Sequence, residues 1–169
     1  MQLQGGSCDA TVTPELNDDF RDMLLALTRA GVEFIVVGAH ALAAHGLPRA
    51  TGDIDILVRP TAENAARVMR ALDDFGAPAR AHGVDDADFQ RDGTVYQIGV
   101  APRRIDLLTE ISGVSFEEAW STRLAATVAG LDFAVLGRDA MIKNKRAAGR
   151  EKDLVDARAL ETRAAQKPT

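Results

Sequence analysis

The stretch from Val36 to Val58 does most to restrict the folds open to this chain. An apolar strand ends at Gly38, a short alanine-rich segment follows, and a second strand reads Asp53-Ile54-Asp55-Ile56-Leu57-Val58. Successive side chains on a strand alternate faces, so Asp53 and Asp55 point the same way while Ile54, Ile56 and Val58 point into the core. Two carboxylates on one strand face make a candidate divalent-cation site. A third carboxylate, Asp106 in the apolar run Arg104–Leu108, joins them if the two strands are neighbours.

Size and charge narrow the classes. A chain of 169 residues, 46% hydrophobic and 27% charged, fits one domain with a sizeable core and little beyond it. The formal charge of −5 argues against broad, nonspecific binding to a nucleic-acid backbone, though not against a local basic site. Cys8 is the single cysteine and forms no intramolecular disulfide. With no secretory pattern at the N-terminus and no apolar run near the ~20 residues that span a bilayer, the expected location is a reducing cytoplasm, away from membranes.

Periodicity predicts the elements in order. Residues 1–13 are polar and aperiodic and are expected to be a flexible leader; residues 14–163 are expected to form one domain, and 164–169 a flexible tail. Leu16, Phe20, Met23, Leu24 and Leu27 predict a helix from Pro14 with Thr13 as N-cap and Gly31 near its end. Glu33–Val37 predicts a strand, Ala39–Ala44 a short helix closed by Gly46, and Asp53–Val58 the acidic strand. A helix follows from Pro60 and Thr61, carrying Ala66, Val68, Met69, Leu72 and Phe75. After a mixed acidic stretch, Thr94–Val100 and Arg104–Leu108 read as strands. Ser115–Trp120 reads as a short helix, Ala125–Ala129 and Phe133–Leu136 as a hairpin about Gly130, and the chain from Arg138 as helical with a break at Gly149.

Three converging carboxylates repel one another and drive at least one pKa upward, so such a cluster makes electrostatic sense mainly around a cation. With a glycine upstream, it is the constellation that two-metal phosphoryl or nucleotidyl transfer requires. From Arg138 to Lys152 six basic residues (Arg138, Lys143, Lys145, Arg146, Arg150, Lys152) stand against Asp139 and Glu151, a local positive patch that suits an anionic ligand.

A strand-ending glycine, a short helix, Arg-x-Thr-x-Asp-x-Asp and a later strand aspartate together resemble the DNA polymerase beta-like nucleotidyltransferase superfamily. More narrowly, Gly38, Arg49, Thr51, Asp53, Asp55 and Asp106, followed by the run from Lys145 to Asp153, resemble its small bacterial members related to abortive-infection and toxin–antitoxin nucleotidyltransferases. The resemblance covers roughly Glu33 to Leu160. It implies an α/β nucleotidyltransferase fold: a small mixed sheet with helices packed on one face, the aspartates on the other, and C-terminal helices. It implies transfer of a nucleoside monophosphate from an NTP such as ATP to a hydroxyl of a small molecule, a tRNA or a protein, with release of pyrophosphate. Asp53, Asp55 and Asp106 would be the catalytic and metal-binding residues, with magnesium, or alternatively manganese, as the ion. Gly38, Ala39, Arg49, Thr51, Lys145, Arg150 and Lys152 would bind the nucleotide, and Asp153 would orient one of these cations. A toxin–antitoxin partner protein or a second copy of the chain would complete the acceptor pocket.

One departure from the pattern bears on chemistry. Family members generally place Gly-Gly or Gly-Ser after the first strand, whereas this chain has Gly38-Ala39, which leaves backbone amides but no hydroxyl for the triphosphate. A non-catalytic nucleotide-binding or toxin–antitoxin partner module with the same fold is therefore the alternative reading. A purely structural reading makes Gly38 a turn, pairs Asp55 with Arg49 or Arg104, gives Thr51 a turn-stabilising role and spreads the basic residues over a solvated helix face. His40 and His45 lack helical metal-pair spacing, and Tyr96 and Trp120 read as packing residues. The Asp-x-Asp of haloacid-dehalogenase phosphatases continues to a threonine where this chain has Leu57, the chain is short for a glycosyltransferase, and no Walker-type loop is present.

Overall fold

Asn17 opens the first helix, α1 (Asp18–Arg29), its side chain accepting a hydrogen bond from the Phe20 N–H at 3.0 Å. A computed structural model describes residues 16–165. The helix thus starts later than expected from Pro14 because Asn17 caps it; Thr13, Cys8, the leader and the tail beyond residue 165 lie outside the described residues. Phe20, Met23, Leu24 and Leu27 form the buried stripe of α1, as their spacing predicts.

Among the described residues, six strands make one mixed sheet in the order β3-β4-β2-β1-β6-β5. They are β1 (Phe34–Val37), β2 (Asp53–Val58), β3 (Val95–Ile98), β4 (Arg104–Leu108), β5 (Leu124–Val128) and β6 (Leu131–Val135). The centre is parallel where crossovers connect it, β2 with β4 and β1 with β6, and antiparallel elsewhere. Central β1 is buried on both faces, which is why its sequence Phe-Ile-Val-Val shows no alternation. Five more helices connect and cover the sheet: α2 (Gly38–Ala44), α3 (Ala62–Phe75), α4 (Phe116–Ser121), α5 (Arg138–Ala148) and α6 (Glu151–Ala165). The mixed acidic stretch forms two 3₁₀ turns, Arg80–His82 and Asp88–Gln90. Helices α1 and α3 lie against one another, and their apolar sides join Ile54, Ile56 and Val58 in the core. Helices α5 and α6, which follow the hairpin β5–β6 in the chain, pair with each other. Among the described residues, no helix is long and apolar enough to cross a membrane.

Asn64, which the hydrophobic pattern of α3 does not single out, locks that helix to the sheet. Only 2% exposed, it accepts from the Glu33 N–H at 2.8 Å and donates to the carbonyls of Glu33 at 3.1 Å and Arg59 at 3.0 Å. One side chain thereby holds the start of β1, the end of β2 and the first turn of α3 together. Asn64→Ala is expected to cost about 1–2 kcal/mol, because the Glu33 N–H loses its acceptor while the Glu33 and Arg59 carbonyls each lose one of two donors and keep the N–H groups of Arg59 and Thr61. Urea unfolding at neutral pH measures this; a loss below ~0.5 kcal/mol would mean that water replaces the amide without penalty.

Candidate active site

Register brings the acidic residues together. In the parallel β2–β4 pair, Asp53 lies beside Arg104 and Asp55 beside Asp106, so all four project from the same sheet face. Antiparallel β1 ends with Val37 opposite Asp55, which sets Gly38 next to that carboxylate. One oxygen from each of Asp53, Asp55 and Asp106 lies within 4.8 Å of the other two. Gly38 has φ of +69°, and a Cβ built there would run into Asp55 Oδ2. The glycine is thus demanded twice, by a left-handed backbone and by the seat of the central aspartate.

The three carboxylates are held differently. Thr51 Oγ1 donates to Asp53 Oδ1 at 2.7 Å and receives the Asp53 N–H at 3.3 Å, fixing the entry to β2. Arg104 reaches Asp53 Oδ2 at 2.5 Å and Asp106 Oδ2 at 3.2 Å through Nη2. Asp106 is only 5% exposed, and its Oδ1 has no aligned hydrogen-bond donor among the described residues, although Arg104 Nε stands 3.2 Å away. Asp55 forms no ion pair among the described residues; burial, then the charges of Asp53 and Asp106, push its pKa up to about 7. Hard oxygen donors at this spacing, one of them buried without a hydrogen bond and another raised toward neutrality, fit a divalent cation.

Opposite the aspartates stands a basic wall. A cleft of about 680 Å³ is lined by the triad, by Gly38, Ala39, Arg49 and Thr51, and by Lys145, Arg150 and Lys152. Two acidic residues of α6 fix this wall: Lys145 Nζ sits 3.3 Å from both Asp153 and Asp156, Arg49 pairs with Asp156 at 2.8 Å, and Arg150 pairs with Asp153 at 2.7 Å. Burial alone would raise the Asp153 pKa, but hydrogen bonds from Arg150 and Lys145 outweigh it and hold the carboxyl below its ordinary value. Lys152 is exposed and forms no ion pair among the described residues.

Every residue singled out from the sequence as catalytic, metal-binding or nucleotide-binding therefore borders one cleft, and Asp153 stands behind it, paired with both Lys145 and Arg150. Arg104 and Asp156 border it too and were not among the expected site residues. Each carried a signal: Arg104 lies two positions before Asp106, on the same strand face, and Asp156 lies one helical turn after Asp153. His40 is buried edge-on against Phe20 and its pKa is lowered by burial, while His45 Nε2 lies 2.7 Å from the Leu136 carbonyl oxygen. Tyr96 is buried beside Phe89, and Trp120 stacks on Phe116 under the guanidinium of Arg123. Neither aromatic lines the cleft.

The raised Asp55 pKa has a consequence for stability. In the unfolded chain this carboxyl ionises near 3.8, in the fold near 7, so the folded state holds the extra proton between those values and loses stability as pH rises across that window. Asp55→Asn is expected to stabilise the metal-free protein by about 1–3 kcal/mol at pH 8, with the gain vanishing toward pH 4. Urea unfolding of both proteins across this range, repeated in excess magnesium where the gain should shrink, makes the check; a pH-independent difference would remove the electrostatic explanation.

No protein-family model matches the sequence, and no curated protein matches it at a significant level. The fold does have a counterpart. A crystal structure from Thermotoga maritima, described as a putative nucleotidyltransferase, is similar over 87% of this chain and 91% of that one, with a TM-score of 0.51 and 14% identity. At that identity the likeness speaks for architecture: this chain has a nucleotidyltransferase-like fold, a mixed sheet flanked by helices, with an aspartate triad able to hold a metal.

Proposed function

We propose that the protein is a magnesium-dependent nucleotidyltransferase, moving a nucleoside monophosphate from an NTP to a hydroxyl acceptor with release of pyrophosphate. The observation that carries this reading is the meeting of three carboxylates and a basic wall across one cleft. Asp53 and Asp55 would hold the ion that carries the triphosphate, with manganese as a substitute, and Asp106 would contribute to a second metal site. When bound, that first ion would offset the negative charge of the triphosphate and of the departing pyrophosphate. The cations Arg49, Lys145, Arg150 and Lys152 face the phosphates, three of them aimed by Asp153 and Asp156. Gly38 and Ala39 offer main-chain N–H groups at the cleft wall. Asp106 accepts the proton of the acceptor hydroxyl as its oxygen bonds to the α-phosphorus and the bond to the bridging oxygen breaks.

The acceptor belongs to the class of hydroxyl-bearing small molecules, tRNA ends or protein side chains. The narrower kinship, with abortive-infection and toxin–antitoxin nucleotidyltransferases, would supply a partner protein or a second copy, in the cytoplasm. The absence of a hydroxyl at Ala39 and the occupation of Asp53 and Asp106 by Arg104 favour the second reading, a nucleotide-binding or toxin–antitoxin partner module without turnover.

Calorimetric titration with each of the four magnesium–NTPs separates these. Binding is expected for at least one, dependent on magnesium and weakened about tenfold or more by Asp55→Asn. Asp106→Asn should retain the nucleotide within a few-fold yet slow pyrophosphate release, across a panel of hydroxyl acceptors, by roughly 10²–10⁴-fold. Binding without pyrophosphate release in the natural chain would favour the nucleotide-binding module, and no binding to any NTP would overturn the enzyme and favour a module acting through protein contacts.

A further inference from the structure

We propose that Arg104 is a resident counterion of the aspartate cluster, which an incoming divalent cation displaces, so that metal loading frees a guanidinium into the cleft. The proposal rests on reading the triad as a metal site. Its ground is the position of one side chain. Arg104 lies beside Asp53 across the β2–β4 register and two residues before Asp106 on β4, so its head lies over both carboxylates. Nη2 engages Asp53 Oδ2 and Asp106 Oδ2, and Nε stands over Asp106 Oδ1, against the same two carboxyl groups that a cation would need.

Guanidinium and divalent ion on the same carboxylates repel each other strongly at such separations. Among the described residues no other cation pairs with the cluster: Arg49, Lys145 and Arg150 are tied to Asp153 and Asp156, Lys152 at the cleft forms no ion pair, and Asp55 has no cationic partner. The contact is also poorly completed. Arg104 Nε and Asp106 Oδ1 are both buried, yet form no aligned hydrogen bond at 3.2 Å. With its side chain 36% exposed, Arg104 can turn outward without opening the core, whereas Asp106, at 7%, cannot move with it. Turned outward, a guanidinium at the cleft rim suits a phosphate oxygen.

Two measurements on the full chain decide the matter. Manganese titration, following the free ion by electron paramagnetic resonance, is expected to show Arg104→Gln binding Mn²⁺ about tenfold more tightly than the natural chain, a coupling of ordinary size, and Asp55→Asn binding it more weakly. In the natural chain labelled with ¹⁵N, the Arg104 Nε–H resonance is expected to shift and to exchange faster with solvent at saturating magnesium; Arg104→Lys assigns it should Arg104→Gln not fold. Equal or weaker Mn²⁺ affinity in Arg104→Gln, or an Nε–H signal indifferent to magnesium, overturns displacement while leaving the metal site in place. Absence of Mn²⁺ binding in the natural chain and in Arg104→Gln alike overturns the metal site itself, and the proposal with it.

Discussion

Mutual repulsion among three carboxylates is the constraint around which this end of the molecule is arranged. Asp53, Asp55 and Asp106 bring oxygens within 4.8 Å of one another on adjacent parallel strands. Nothing in the strands themselves favours this; it is imposed by Ile54, Ile56 and Ile105, each at most 1% exposed, whose burial on the opposite face fixes both the register and the direction of the acidic side chains. A slip of one residue would bury the aspartates and expose the isoleucines. The hydrophobic face therefore supplies the free energy that holds like charges together.

The basic wall works by the opposite logic. Lys145, Arg49 and Arg150 are gathered by Asp153, fully buried, and Asp156, 7% exposed, which keep the cations from scattering into solvent. Buried carboxylates so enclosed add little net stability, since desolvation consumes much of the attraction. Their effect is positional: charged groups from the loop before β2, from α5 and from the turn between α5 and α6 are presented to one space. Gly149, at φ of +70°, lets the chain turn between the two helices so that Lys145 and Arg150 meet the same carboxylate.

Much of this was legible in the sequence where a side chain's direction follows from period alone. The bounds of β2 and β4 match their sequence patterns residue for residue, because polar ends and alternating apolar positions mark both. The hairpin about Gly130 and the break at Gly149 followed from glycine in the same way. The start of α1 did not, because several polar residues before Phe20 are acceptable caps and only tertiary contacts choose Asn17. Nor did Asn64, whose role depends on main-chain groups 31 residues away. Strand order is the largest gap: that β4 lies beside β2, and so that Asp106 joins Asp53 and Asp55, is a long-range fact that no local pattern encodes. Arg104 was hidden for a related reason, since a basic residue at a strand end is ordinary until its neighbour across the sheet is known.

Gly38 links the fold to the chemistry. Its missing side chain makes room for Asp55, a carboxylate whose ionisation the site resists. A sheet with no use for a cation has two simple ways out of this conflict: a neutral residue in place of Asp55, or a side chain in place of Gly38 with the turn rebuilt. The first would remove a buried, half-compensated charge, and the second would end the close approach that seats it. The chain instead carries the glycine, the crowded carboxylate and an arginine that covers only two of the three acids. Taken together these are features of a site with its energetic deficit in the free state, and such a deficit is recovered when a positively charged ligand binds the folded protein and not the unfolded chain. The same reasoning bears on function by chemistry and not by resemblance: a module that only grips a partner protein has no need of converging acids, whereas a cation-dependent nucleotide site, with turnover or without it, does.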